Sequence, residues 1–317
     1  MKSTRTSLIA LCIATLAATA HAQQQRQPPQ GGLAVTYKSA QGDASDLSID
    51  AVLYKPDTAA KGAVVIVNGS SSPTDAREGQ YARALSSAGY AVLAIDTYAP
   101  RGVVDTGTNN AGISTYAQAH DVFAARRYLV SIGYPADRMA VMGSGRGGTI
   151  ALLVADRTFA QDEKGRFAAA MAITPACIFH PKTPKPASRL FIALGEKDDV
   201  AGVEPCKELA KEFAGAGGRA DVKVYPGASS GFDGNPGNLR MTRDSFIETF
   251  VNCSASVGPD GRSTYNGKTF AESDTAGLIA EMRKSCIKHG GSGWTNLTQK
   301  ATVTLDLIEF LDANFRR

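Results

Sequence analysis

The stretch "MAVMGSGRGGTIALLVA" (139–155) constrains the fold more than any other. An apolar run stops at a glycine-rich turn, and a second apolar run begins at once. A continuous apolar run without polar alternation reads as a strand buried on both faces. Glycines let the backbone reverse within a few residues and pack closely against its neighbours. The stretch therefore predicts strand, tight turn and helix, the repeating unit of a parallel sheet.

The rest of the chain keeps this rhythm. Buried strands are predicted at "GAVVIVNG" (62–69), "YAVLAID" (90–96), "FAAAMAIT" (167–174), "RLFIALG" (189–195) and "DVKVYPG" (221–227). Between them come helical segments at 76–89, 114–133, 147–155 and 203–218. "LAVTY" and "LSIDAVLYKP" alternate and open the chain as an antiparallel pair. The closing segment 297–315 reads as a helix with Leu305, Ile308, Leu311 and Phe315 on its apolar face. Strand–helix alternation over this length predicts an α/β fold, a mostly parallel, doubly wound sheet with helices on both faces.

Residues 231–295 break the rhythm. They are rich in Gly, Asn, Asp and Ser, with helices expected at about 241–251 and 271–287. Cys253 and Cys286 stand near the ends of the second half of this stretch. It reads as an insertion before the last helix, closed by its own disulfide, Cys253–Cys286.

The amino terminus carries a different signal. Lys2 and Arg5 precede a short apolar run, and Ala20-His21-Ala22 forms a small-x-small cleavage site. This predicts a signal peptide over 1–22, cleaved after Ala22, and a periplasmic or secreted protein. The run is too short to span a bilayer, and no other stretch qualifies. Residues 23–32, "QQQRQPPQGG", read as a disordered leader before a single domain over 33–317. Cleavage removes two positive charges from a net charge of +4, leaving a near-neutral chain. That argues against a nucleic-acid surface. It also leaves four cysteines, an even number that favours two disulfides in an oxidising compartment. No C-x-x-C spacing points to a metal or redox centre. The oligomeric state is not written in the sequence.

Ligands of such sheets bind at the carboxyl ends of the strands. Four strand ends carry suggestive residues. At 143–148 the pattern fits a nucleophile elbow, G-x-Nuc-x-G, when Gly143 opens it and Gly147-Gly148 closes it. Gly145 then occupies the tip and Ser144 comes one residue too early; Arg146 follows as a pocket candidate that could bind an anion, against the plainer reading of an exposed helix-start arginine. Asp198 sits three residues after the strand ending at Gly195. Ser229 and Ser230 follow the strand ending at "VYPG". Asn68, Gly69 and Ser70 form a turn whose amides, with the amide after the tip, suit an oxyanion hole.

Together these features resemble the dienelactone hydrolase branch of the α/β-hydrolase superfamily. The resemblance rests on "EGQYARALSSAGYAVLAIDTYAPRGV", "LGEKDDVAGVEPC" and "VYPGASSGFD", in that order. It implies that the nucleophile position falls on Gly145, the acid on Asp198 and the histidine on Ser230. The usual His-Gly of the oxyanion loop falls on Asn68-Gly69. It further implies a Cys177–Cys206 disulfide.

Glycine cannot attack a carbonyl, and a serine hydroxyl is far too weak a base to replace imidazole near neutrality. The expectation is a pseudoenzyme that binds a small molecule or partner without cofactor or metal. The alternative is an ester or lactone hydrolase with a displaced site, using Ser144 or Ser230 with His180 or His289. "GSGRGG" also matches G-x-G-x-x-G, but the following strand ends at Pro175 without the acid a dinucleotide site wants.

Overall fold

The computed structural model describes residues 27–39 and 47–315. The signal peptide and the first part of the leader lie outside them. Eight strands form the main sheet: β1 (Leu33–Lys38), β2 (Ser48–Tyr54), β3 (Ala63–Val67), β4 (Ala91–Asp96), β5 (Met139–Ser144), β6 (Ala169–Ile173), β8 (Arg189–Lys197) and β9 (Ala220–Ser229). Their spatial order is β1-β2-β4-β3-β5-β6-β8-β9. β1 and β2 pair antiparallel, β2 runs antiparallel to β4, and every later neighbour is parallel. β3, β5 and β6 are buried at every position, as their unbroken apolar runs require.

The strands divide their side chains between two cores. Val65 and Val67 of β3 face one side, with Val122 and Phe123 of α2 (Thr115–Ser131), Ile150 of α3 (Arg146–Val154) and Phe213 of α4 (Glu204–Gly215). Val64 and Ile66 face the other, with Leu85 of α1 (Gln80–Ser87) and Val303, Leu307 and Leu311 of α6 (Leu297–Phe315). This two-residue alternation is what a strand sandwiched between helical layers must show. The closing helix places Leu311 in the core with Ile308 and Phe315 packed against it, as expected, but not Leu305. Leu305 is 67% exposed, and Val303, Leu307, Phe310 and Leu311 are the buried face.

Two further expectations are corrected. Residues 27–32 of the expected disordered leader are held: the Asp75 amide donates to the Gln27 carbonyl at 2.7 Å, and the Tyr54 hydroxyl donates to that of Gln30 at 2.7 Å. The expected helix at 241–251 is a strand, β10 (Thr242–Thr249), paired antiparallel with β14 (Lys288–Gly293). Its β-branched Thr242, Ile247 and Thr249 suit an extended backbone, and cross-strand pairing overrides any helical preference. The second expected helix is present but shorter, as α5 (Thr275–Arg283).

The insertion also supplies β11 (Ala255–Val257), β12 (Ser263–Tyr265) and β13 (Lys268–Phe270) of a small sheet that β7 (Phe179–Pro181) completes. β7 pairs in parallel with β11 and ties the insertion to the core. Both disulfides, Cys177–Cys206 and Cys253–Cys286, are present. No helix among the described residues is long and apolar enough to cross a membrane.

Glu272, where the insertion meets the core, gives a pH signature. Its carboxylate accepts the Ala160 amide at 2.8 Å, and burial pushes its pKa from 4.5 up to about 7. A carboxyl raised in the folded state favours the protonated fold, so this group's contribution is full below about pH 4.5 and lost as pH rises through 7. Glu272→Gln keeps an acceptor for Ala160 and removes that slope. The variant is expected to be more stable at pH 8 by about 2–3 kcal/mol. Urea unfolding at pH 5 and pH 8 checks this: a difference between variant and parent that does not grow with pH contradicts it.

Candidate functional site

The carboxyl ends of β3, β5, β6, β8 and β9 converge on one cavity of about 350 Å³. The tip of the turn between β5 and α3 is Gly145, with φ 55° and ψ −118°. Such a backbone is strained for any residue but glycine. Its amide donates to the Ile173 carbonyl at 2.8 Å, which fixes the tip against the end of β6. A Cβ added at Gly145 would meet nothing within 4 Å, so the tip opens into the cavity. Gly143 and Gly147 are the opposite case. A Cβ on Gly143 would lie 2.4 Å from the Gly147 backbone, and one on Gly147 would lie 2.5 Å from the Val67 carbonyl oxygen. The turn closes this tightly because both residues lack side chains.

Ser144 does not share the cavity. Its hydroxyl donates to the Asp233 carboxylate on the far side of the turn, within a buried cluster. The Tyr81 hydroxyl donates to the same Asp233 oxygen at 3.2 Å. Lys300 completes that cluster, its ammonium donating to the carbonyls of Ala76 at 2.8 Å and Gly234 at 2.7 Å. Burial lowers the Lys300 pKa to about 8.

The oxyanion-type turn after β3 is held from its sides. The Asn68 side-chain carbonyl accepts from the Thr97 amide at 3.1 Å and hydroxyl at 2.9 Å, and its amide donates to Ser71 at 3.0 Å. The Gly69 carbonyl accepts from the Tyr98 hydroxyl at 3.0 Å. Ser70 lines the cavity, as does Arg146 at the start of α3. The Arg146 amide there, at the first helical position, has no intrahelical acceptor.

Asp198 lies at the end of β8 and is buried. One carboxylate oxygen accepts from the amides of Val200 and Ala201, both at 2.9 Å. The other is buried without a hydrogen-bond partner. Burial raises the carboxyl's pKa, opposed by these backbone amides. Ser230, after β9, lines the cavity and bridges to Gly293 of β14.

The histidines lie elsewhere. His180 in β7 is bound through Nδ1 to Glu212 at 2.9 Å and through Nε2 to the Cys177 carbonyl at 3.0 Å. His289 sits in β14 opposite Glu248, and neither ring lines the cavity. His120 is buried on α2 against Glu163 at 3.0 Å. Among the described residues, no histidine is hydrogen-bonded to Ser144 or Ser230.

Arg146 is not the exposed helix-start arginine that its position suggests. It lines the cavity, and its guanidinium donates to the Gln118 side chain at 2.6 Å, the Asn110 carbonyl at 3.0 Å and side chain at 3.3 Å, and the Ile113 carbonyl.

Several cavity residues were not singled out in the sequence. The β10–β14 ribbon roofs the cavity with Thr242, Ile247 and Glu248. Glu248 binds Arg283 at 2.6 Å and the Asn110 amide at 2.9 Å. Thr174 forms part of the wall directly after β6, at φ 43°. Its place at a strand's carboxyl end was the available signal.

This strand order, with an elbow after β5 and an acid after β8, defines an α/β-hydrolase fold. The model of the dienelactone hydrolase family matches residues 49–243, more than half of the chain, and the chain belongs to that family. Similar solved structures include Thermogutta terrifontis esterase 2 phosphoramylated by tabun, at 18% identity and TM-score 0.52, covering 67% of this chain and 89% of that one. The native form of the same esterase is also 18% identical, with TM-score 0.52 and coverage of 68% and 89%. At this identity the likeness is one of fold. No curated protein matches the sequence.

Proposed function

We propose that the protein is an exported, catalytically silent member of the dienelactone hydrolase family that holds a small ligand in the cavity above Gly145. Two observations carry the reading: the elbow tip is a glycine, and the acid after β8 keeps a buried oxygen with no partner. In the family's arrangement that oxygen faces the histidine, whose position here is Ser230. Without nucleophile and base, little remains beyond the oxyanion turn and the binding walls, and these alone retain only a remnant of a triad's rate. Export is supported by the signal-peptide pattern and by the two disulfides.

The competing reading is a displaced site built on Ser144 or Ser230 with His180 or His289. The bonds that hold Ser144 to Asp233, and His180 to Glu212 and Cys177, count against it. Fluorophosphonate labelling followed by mass spectrometry separates the two. The expected result is an unlabelled protein. A stoichiometric adduct on Ser144 or Ser230 overturns the proposal, and loss of that adduct in Ser144→Ala or Ser230→Ala would identify the residue.

A further inference from the structure

The cavity's own hydrogen bonding says which ligands it can hold. Its charged lining groups are Arg146, Asp244 and Glu248, which leave an excess of one negative charge. Arg146 and Glu248 are already engaged within the protein. Four donors of the Arg146 guanidinium are directed at Gln118, Asn110 and Ile113. Glu248 is satisfied by Arg283 and Asn110. Asp244, at the roof, accepts the Phe246 amide at 2.8 Å.

Apart from the Arg146 amide and the second Asp244 oxygen, the polar groups left over are hydroxyls, that of Ser292 among them. Ser70, Thr174 and Ser230 all line the cavity, and their side chains make no hydrogen bond among the described residues. A hydroxyl both donates and accepts. The remaining wall is apolar, with Ile178, Phe179 and Phe250 among its residues.

Thr174 adds a second, independent observation. A β-branched residue at φ 43° is a backbone outlier. Strain of this kind persists where the surrounding structure enforces it, and it clusters at ligand sites. The Thr174 amide is held by the Ala193 carbonyl at 2.8 Å, and the neighbouring Ile173 carbonyl holds the elbow tip. The strained turn thus places a hydroxyl on the cavity wall beside Gly145.

We infer that the cavity binds an uncharged molecule with an apolar body and a carbonyl or hydroxyl oxygen, held by the hydroxyls of Ser70, Thr174 and Ser230, and that it rejects the matching carboxylate. This rests on the proposed function and names the ligand class of the same site. A carboxylate entering here would lose its hydration without finding a free counter-charge. A neutral oxygen needs only one or two hydroxyl partners.

Calorimetric titration of the intact protein with benzylacetone and with hydrocinnamate tests the inference. The two share one hydrocarbon body and differ in a methyl ketone against a carboxylate. The ketone is expected to bind at least about tenfold more tightly. Thr174→Val keeps the shape and the backbone strain, removes the hydroxyl, and is expected to weaken ketone binding by about tenfold. Thr174→Gly relieves the strain. It is expected to raise the melting temperature while still weakening the ketone, a combination that a merely structural residue would not produce. Equal or tighter binding of hydrocinnamate overturns the inference. So does unchanged affinity in Thr174→Val, or no binding of either compound at concentrations up to about 10 mM. A ketone cannot be hydrolysed, so this result is independent of ester turnover, which bears on the proposed function alone.

Discussion

Gly145→Ser combined with Ser230→His is expected to turn this chain into an ester hydrolase. The space for the first change exists, since a Cβ at Gly145 meets no heavy atom within 4 Å. The backbone there already has the left-handed strain that lifts a nucleophile out of the turn. Ser230 lines the same cavity as Gly145, so an imidazole there is expected to reach that hydroxyl, with the unpartnered Asp198 oxygen as the expected acceptor for its other N–H. General-base assistance is worth about 10²–10⁴-fold, and it requires nucleophile and base together. Each single variant should therefore stay near the parent's background, and only the double variant should turn over p-nitrophenyl butyrate well above it. The serine at positive φ should cost about 1 kcal/mol of stability. A folded double variant with no gain over the parent would show that these positions do not form a triad.

The second large effect is on folding and sits two residues away. Gly147→Ala would put a methyl group 2.5 Å from the Val67 carbonyl oxygen and 2.7 Å from that of Asn68. Both are backbone atoms, so no rotamer change can make room. The end of β3 and the oxyanion turn would have to shift together. A loss of about 3 kcal/mol or more is expected, read from urea unfolding. Gly145→Ala in the same turn should cost only the strain of its φ. Similar losses for the two variants would mean that Gly147 does not pack as described.

The contrast between those glycines shows what could be read from the chain alone. The register of "GSGRGG" placed Gly145 at the tip because buried strands announce their ends, and β5 stops where its apolar run stops. The same continuity made β3, β4, β6 and β8 legible. The roof of the cavity was not. β10 has mixed polarity, and its pairing with β14, some forty residues later, leaves no local periodic mark. Leu305 was misplaced for a related reason. Its helix carries apolar residues around much of its circumference, and only packing against α1 and the sheet selects Val303, Leu307 and Phe310 in its place. Asp198 was legible as a strand-end acid, but its unpartnered oxygen was not, because it depends on what fails to surround it. Arg146 was legible by position only. The carbonyls that engage it come from the loop before α2, more than thirty residues earlier for Asn110 and Ile113.

The central claim is that the family's chemistry is absent from this chain while its cavity remains. Steady-state hydrolysis of p-nitrophenyl butyrate by the purified, unaltered protein, with disulfides intact, tests it most directly. The account predicts a rate indistinguishable from buffer, and no change on Ser144→Ala or Ser230→Ala. Saturable turnover that disappears with either substitution would contradict it.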